Sequence, residues 1–334
     1  MPDDKTDDRP GVDYRTEIEQ IEAAAVELAV ESGRIVLEFY GQARGTSGGL
    51  AVDYKDKGRS DPVTAADREI EARLAKAVSE RFPGHSIIGE EGAPGNPSAE
   101  YLWIVDPVDG TSNFVNQLPC FAVSIGVLRR GRPVVGAIFV PGEVALGGGV
   151  YHARRGGGAF LRSTTDGTEK PVHVVADSEL SPSRLVSLPG AWHYAFRFHP
   201  RLGRALGQSR TLGSAAAELA YVAAGIFQVG LYRSLKIWDV AAGVLIIQEA
   251  GGVVYRWRGW RGGWQPLVEF AARRRRPDDP TGLRRWSEPL LVGGLGPAGD
   301  VARLVRPTFT PPRFLHRLLG WLKHRQRREQ KRRG

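Results

Sequence analysis

The chain has 334 residues, 42% hydrophobic and 25% charged, enough to bury a sizeable core in one large or two modest domains, and this excludes wholesale disorder. A single cysteine, Cys120, excludes an intramolecular disulfide and fits a reducing compartment. The formal net charge of +9 belongs to one end: residues 311–334 carry nine Lys and Arg against Glu329 alone, so the body is nearly neutral and is not expected to bind nucleic acid.

In chain order, residues 1–13 form an acidic leader, expected to be disordered, without the charged-then-apolar order of a signal peptide. No apolar run approaches the roughly 18 residues of a membrane span, so a soluble, cytoplasmic protein is expected. "TEIEQIEAAAVELAVESGRIVLEFYG" places apolar residues at helical spacing and predicts a helix that stops at Gly41. "VTAADREIEARLAKAVSERFPG" predicts a second helix, with Thr64 as N-cap and Asp67 completing a capping box. "SIIGEE" and "YLWIVDP" are short apolar runs that end in acids, and "FAVSIGVLRRGRPVVGAIFVP" and "GGVYHARRGGGAFL" read as hairpins. The character changes near residue 180. Beyond it "SRLVSL", "GSAAAELAYVAAG", "IFQVGLY", "WDVAAGVLIIQEAGG" and "EPLLVGG" alternate strand-like and helix-like patterns, as in an α/β layer. The expected organisation is an α+β half over 14–180, an α/β half over 181–305 and a basic tail over 306–334. "RWRGWRGGWQPLVEFAARRRRPDDP" reads as an elaborated surface loop.

Four segments place acids at the end of an apolar strand or the start of a helix: "SDPVTAAD" (Asp61, Asp67), "IIGEE" (Glu90, Glu91), "IVDPVDGTSNF" (Asp106, Asp109) and "WDVAAG" (Asp239). Singly, such acids are helix caps or dipole partners, and "DPVDGTSNF" alone reads equally as a turn. A fold that gathers several of them needs cations, because carboxylates at close range cannot all stay ionised. The donors on offer are oxygens, with no His or Cys cluster, which favours Mg2+ or Mn2+ over zinc. A helix starting at Thr111 would aim backbone N–H groups at a phosphate.

These segments resemble the signatures of the inositol monophosphatase superfamily of Mg2+-dependent, lithium-sensitive phosphatases. "DPVTAAD" looks like its D-x-V-T-x-x-D element, "GEE" its acid turn, "DPVDGTSNF" its D-P-[ILV]-D-G-T-x-N-F signature and "WDVAAG" its W-D-x-A-A-G signature; "GSAAAELAYVAAG" resembles its pocket-lining helix. The likeness runs in order from about residue 16 to about residue 305. It implies a layered αβαβα sandwich of the inositol monophosphatase and sugar phosphatase type, α+β followed by α/β. It also implies two or three Mg2+ per site, with Mn2+ as a substitute. Glu90, Asp106 and the Val108 carbonyl would hold the first ion and Asp106, Asp109 and Asp239 the second, with a weaker third near Glu90 and Asp67. Asp67 and Thr111, with Glu90, would activate the attacking water, and the Gly110 and Thr111 amides would hold the phosphate. Gly213, Ser214 and Ala215 would line the substrate pocket beside Asp239.

On the substrate side the likeness weakens. Inositol-specific relatives carry a glutamate seven positions before the W-D aspartate, where this chain has Tyr232 followed by Arg233. Either Arg233 meets a second anionic group, or Tyr232 merely packs. The expected activity is hydrolysis of inositol monophosphate or a related sugar or polyol phosphate, a small phosphorylated metabolite, by metal-activated water. The alternatives are fructose 1,6-bisphosphatase or 3′(2′),5′-bisphosphate nucleotidase activity, and a non-catalytic binding protein on the same fold. Family members are often homodimers. In the tail, Phe314, Leu315, Leu318, Leu319, Trp321 and Leu322 form one apolar stripe beside the basic run. That pattern fits a helix docked on the body with a solvated end, peripheral attachment to an anionic membrane surface, or nucleic-acid contact through the Arg run.

Overall fold

A computed structural model describes residues 14–45, 52–54, 62–93, 95–96, 98–142, 149–190, 192–271 and 279–308. The acidic leader, Asp61, the arginine run at 273–276 and the tail from 309 lie outside the described residues. Helix α1 (Tyr14–Gly45) is followed by a ribbon of β1 (Val52–Tyr54) and β2 (Pro62–Thr64), then by α2 (Ala65–Arg81). The helix does not stop at Gly41 as expected. That glycine faces open space, and its cost of about 1 kcal/mol is small beside the buried face from Ile18 to Tyr40. At the head of α2 the capping box forms: the Thr64 amide and hydroxyl both donate to Asp67 Oδ2, at 2.8 and 2.6 Å.

Strands β3 (Ser86–Gly89) and β4 (Tyr101–Asp109) run parallel. The short helix α3 (Thr111–Val115) follows β4, and then come β5 (Ala122–Arg129), β6 (Arg132–Val140), β7 (Gly149–Arg154), β8 (Gly158–Arg162) and β9 (Glu169–Pro171). The seven strands form one sheet in sequence order, antiparallel after the first pair. Helices α1 and α2 cover one face over a core of Ile21, Leu74, Trp103 and Phe114.

The second sheet takes its strands from the later chain: β10 (Leu185–Ser187), β12 (Gln208–Arg210), β13 (Phe227–Tyr232), β14 (Val253–Trp257), β15 (Trp264–Pro266) and β16 (Leu290–Gly293), in the order β12-β10-β13-β16-β14-β15. Between β10 and β12 lie the single turn α4 (Trp192–Ala195) and β11 (Phe196–Phe198), which pairs instead with the last strand, β17 (Val305–Pro307). Helices α5 (Ala215–Ala223) and α6 (Ile237–Glu249) fill the space between the sheets, and α7 (Leu295–Leu304) covers the outer face of the second. The result is the expected αβαβα sandwich.

The expected Trp/Arg surface loop is partly wrong: β14 and β15 form the edge hairpin of this sheet. Trp257 and Trp264 sit opposite one another with ring centroids 5.3 Å apart, a cross-strand aromatic pair that offsets the glycine-rich turn. For the site, the decisive packing is that of α6. A Cβ on Gly126 or Gly136 would lie 2.8 Å from the Ala241 side chain and 2.5 Å from the Ala242 carbonyl, so the first turn of α6 can rest directly on β5 and β6.

Candidate active site

Strand β4 is buried along its whole length and ends in acids. Its register with β5 slips between Asp106, opposite Ser124, and Asp109, opposite Ala122. The bulge lets both acids turn into one space, because side chains at this odd spacing would otherwise lie on opposite faces. The Val108 amide donates to Asp106 Oδ1 at 3.1 Å, and the Thr111 hydroxyl donates to the Val108 carbonyl at 2.9 Å. Gly110 joins strand to helix with φ of 91°, and a Cβ there would meet the Cys120 carbonyl at 3.0 Å, Ser214 Cβ at 3.1 Å and the Gly213 carbonyl at 3.2 Å. Only glycine fits that junction.

Asp239 arrives from α6. The Lys236 amide donates to its Oδ2 at 2.7 Å, and Ser124, opposite Asp106, donates to the Trp238 carbonyl at 3.1 Å. Asp106, Asp109 and Asp239 thereby offer oxygens that all lie within 4.8 Å of one another. Burial, then the charges of Glu90, Asp109, Asp239 and Asp67, push the Asp106 carboxyl far above its usual range. Burial and the neighbouring Asp109 do the same to Asp239. Asp109 is pushed up to about 7 by burial, against the lowering effect of the Ser214 hydroxyl (2.5 Å) and the Ala216 amide (2.7 Å), which both donate to its Oδ2. Such a set cannot be fully ionised unless a cation joins it. With only oxygen donors, these residues fit a hard divalent ion.

The structure thus brings Asp106, Asp109 and Asp239 together, near enough to Glu90 and Asp67 for their charges to act on Asp106, with Val108, Gly110 and Thr111 on the connecting turn. Gly213 and Ser214 touch the same turn, and Ala215 opens α5 behind them. Two expected substrate contacts are directed elsewhere. Tyr232 is 4% exposed, packed in the core between the sheets over Gly230, where burial and Glu218 push its phenol upwards. Arg233 donates to the Ala195 carbonyl at 2.7 Å and the Thr308 hydroxyl at 3.0 Å, where it ties down chain rather than facing a second anion.

Three positioning residues hold the turns around the acids, of which Glu71 and Arg284 were absent from the sequence reading of the site. Glu71, one turn after Asp67 on α2, accepts from the Glu91 and Ala93 amides at 2.7 and 2.9 Å. Glu218 accepts from the Ser187 hydroxyl at 2.5 Å and the Leu212 amide at 2.6 Å, which fixes the loop before α5. Arg284 reaches back to the carbonyls of Gly89 (2.7 Å), Ala93 (2.9 Å) and Glu90 (3.2 Å), with its guanidinium 5.4 Å over the Trp238 ring. The i, i+4 spacing from Asp67 could have pointed to Glu71, while Arg284 has no local signal. A cavity of about 1040 Å³ between α1 and the β7–β8 hairpin, lined by Glu22, His152 and Arg154, includes none of the expected site residues.

An αβαβα sandwich whose buried carboxylate cluster lies beside a Gly-Thr helix start is the setting of this candidate site. The chain matches the model of the inositol monophosphatase family over residues 17–277, and it belongs to that family. It is 37% identical over 243 residues to the chloroplastic phosphatase IMPL1 of Arabidopsis thaliana, a match covering 70% of this chain and 62% of that protein. It is 32% identical over 231 residues to the fructose-1,6-bisphosphatase/inositol-1-monophosphatase of Aquifex aeolicus, covering 67% of this chain and 81% of the relative. Among solved structures, the extragenic suppressor protein suhB of Bartonella henselae superposes with a TM-score of 0.64 at 27% identity, over 85% of this chain and 97% of that one.

Proposed function

We propose that the protein is a Mg2+-dependent phosphomonoesterase acting on inositol monophosphate or a related sugar or polyol phosphate. The observation that carries this reading is the convergence of Asp106, Asp109 and Asp239 within 4.8 Å of one another beside the Thr111 turn. Glu90, Asp106 and the Val108 carbonyl would hold one ion, and Asp106, Asp109 and Asp239 another. Bound there, such ions lower the pKa of water and neutralise charge on the phosphoryl group and leaving oxygen.

The chain's own groups do the positioning. Thr111 gives its hydroxyl proton to the Val108 carbonyl, so its lone pairs are left to orient a water. Asp67 is locked by two hydrogen bonds from Thr64 on one oxygen, which leaves the other to take up a proton. The first amides of α3 have no partner within the helix and suit phosphate oxygens.

Activity on a bisphosphate is the second reading, favoured by the double name of the Aquifex relative. The presence of every acid and of Thr111 speaks against a non-catalytic scaffold. The test is phosphate release from a panel of inositol, sugar and nucleotide phosphates, with Mg2+ and with EDTA. Turnover of a monoester that EDTA abolishes and Mg2+ restores supports the proposal; turnover unaffected by EDTA, or none on the whole panel, overturns it. Millimolar lithium is expected to inhibit.

A further inference from the structure

The cavity between α1 and the β7–β8 hairpin holds a histidine that plays no part in the phosphatase reading. His152 lies on β7, opposite Ala137 of β6, and is only 5% exposed. Its Nδ1 lies 2.8 Å from Oε1 of Glu22, a buried acid of α1. The other oxygen of Glu22 accepts from Arg154 at 2.9 Å. Phe160, opposite His152 across the β7–β8 pair, stacks on the ring with centroids 5.8 Å apart and planes at 27°. One edge of the imidazole is bound and one face is covered, so its orientation is fixed.

An ionised carboxylate can only accept, so Nδ1 carries the hydrogen and Nε2 keeps a lone pair. That nitrogen is buried and has no hydrogen-bond partner among the described residues. What faces it is a second acceptor, Glu169 Oε1 of β9, at 3.5 Å. Two acceptors turned on one another in a buried place are unfavourable unless something positive lies between them. A proton bridges them poorly, because an N–H···O bond spans roughly 2.7–3.2 Å. An ammonium group, roughly 2.9 Å from each, would hold its acceptors farther apart than this. An ion roughly 2.1 Å from each holds a nitrogen and an oxygen about 3.4 Å apart at the tetrahedral angle, close to the separation in the structure.

We propose that His152 Nε2 and Glu169 hold a divalent transition-metal ion of the zinc class, with Glu22 fixing the histidine from behind. Imidazole beside carboxylate suits such an ion and does not suit Mg2+. A metal-bound histidine regularly gives its other N–H to a carboxylate, which sets the tautomer and the direction of the ring. Both residues line the cavity of about 1040 Å³, where water can complete the coordination. Around the ring, Glu19, Glu22 and Glu169 stand against Arg154 and Arg162, one negative charge in excess. Glu169 also accepts from Arg162 at 3.2 Å, but both side chains are more than two-fifths exposed, at 42% and 43%, and such a surface pair exchanges at little cost. The ion would fasten the three-residue strand β9 to β7, across β8. None of the acids of the Asp106 cluster lines this cavity, so the proposal stands apart from the phosphatase reading.

The test is titration of the full chain with Zn2+ at saturating Mg2+, which keeps the oxygen-only cluster supplied, read by the imidazole 15N resonances. The histidine whose signals vanish in His152→Gln should shift at Nε2 as Zn2+ is added and stay unmoved with Mg2+ alone. Glu169→Gln should weaken this response at least about tenfold, and Glu22→Gln about tenfold to a hundredfold. All three positions lie outside the Asp106 cluster, and circular dichroism checks their folding; Glu169 is exposed, so its variant carries the test where a buried one fails to fold. No response of this histidine to Zn2+, the same shift with Mg2+ alone, or a wild-type response in Glu169→Gln overturns the proposal. A signal that moves with pH and not with Zn2+ leaves a plain ion pair between His152 and Glu169, and overturns it as well.

Discussion

On the proposed Mg2+-dependent activity, replacing Arg284 by Met is expected to raise the Mg2+ requirement without unfolding the protein. The guanidinium donates three hydrogen bonds to the backbone around Glu90, at 2.7, 2.9 and 3.2 Å, and each hydrogen bond from a charged group is worth about 1.5–3 kcal/mol. Arg284 is only partly buried, so water can reach the freed carbonyls, and a net loss of about 2–3 kcal/mol for the set is the fitting magnitude. The contact with Trp238 contributes up to about 1 kcal/mol more, part of which the methionine recovers. Glu71 holds the same turn from the opposite side through the Glu91 and Ala93 amides, so the turn loosens but does not melt.

At 1.4 kcal/mol per factor of ten, the Mg2+ concentration for half-maximal activity should rise about thirtyfold to 140-fold. The maximal kcat, read at saturating Mg2+, should stay within about threefold of wild type, because the contacts of Arg284 go to backbone carbonyls of the Glu90 turn and to Trp238, so it acts through the turn. The assay is phosphate release over a Mg2+ titration, repeated for Glu71→Gln and for the double variant. The two residues share one turn, so their effects should be non-additive. An unchanged Mg2+ titration, or a loss of kcat that no Mg2+ concentration restores, refutes the reasoning.

Asp106→Asn should lower kcat/KM well beyond the tenfold that corresponds to about 1.4 kcal/mol of transition-state stabilisation. Its melting temperature in EDTA should not fall, since one of several mutually repelling buried charges is removed. Thr111→Ala should lower kcat far more than it raises KM; a change confined to KM in steady-state assays would move the hydroxyl from water to substrate. Gly110→Ala should destabilise the fold by about 1–3 kcal/mol, since alanine must take a φ of 91° with a carbonyl 3.0 Å from its Cβ. Urea titration checks it, and wild-type stability would show that the junction can relax.

The clustered acids were legible because each is local: an apolar strand runs into Asp106 and Asp109, and a helix start presents Asp239 or Asp67. A charge that a buried element would otherwise avoid stands out within a few residues. The groups that hold those acids have no such signature. Arg284 acts on Gly89 across 195 positions, and within its own segment it is one arginine among several. Glu218, in the first turn of α5, ties the loop before that helix to β10 through Ser187. The β14–β15 hairpin was read as a loop because its glycines and arginines outweigh two facing tryptophans until the strands are paired. The role of Tyr232 stayed open for a related reason. Counting back from Asp239 found the right position, but the direction of its side chain is decided by packing over Gly230. Ionic chemistry is written in short motifs because it needs charge in a fixed place, whereas substrate shape is set by packing between distant segments. The Asp109 carboxylate is where the two meet: an acid of the cluster also accepts from Ser214 and Ala216 at the start of α5, the proposed pocket loop. A change in that loop should therefore alter cation affinity and substrate choice together.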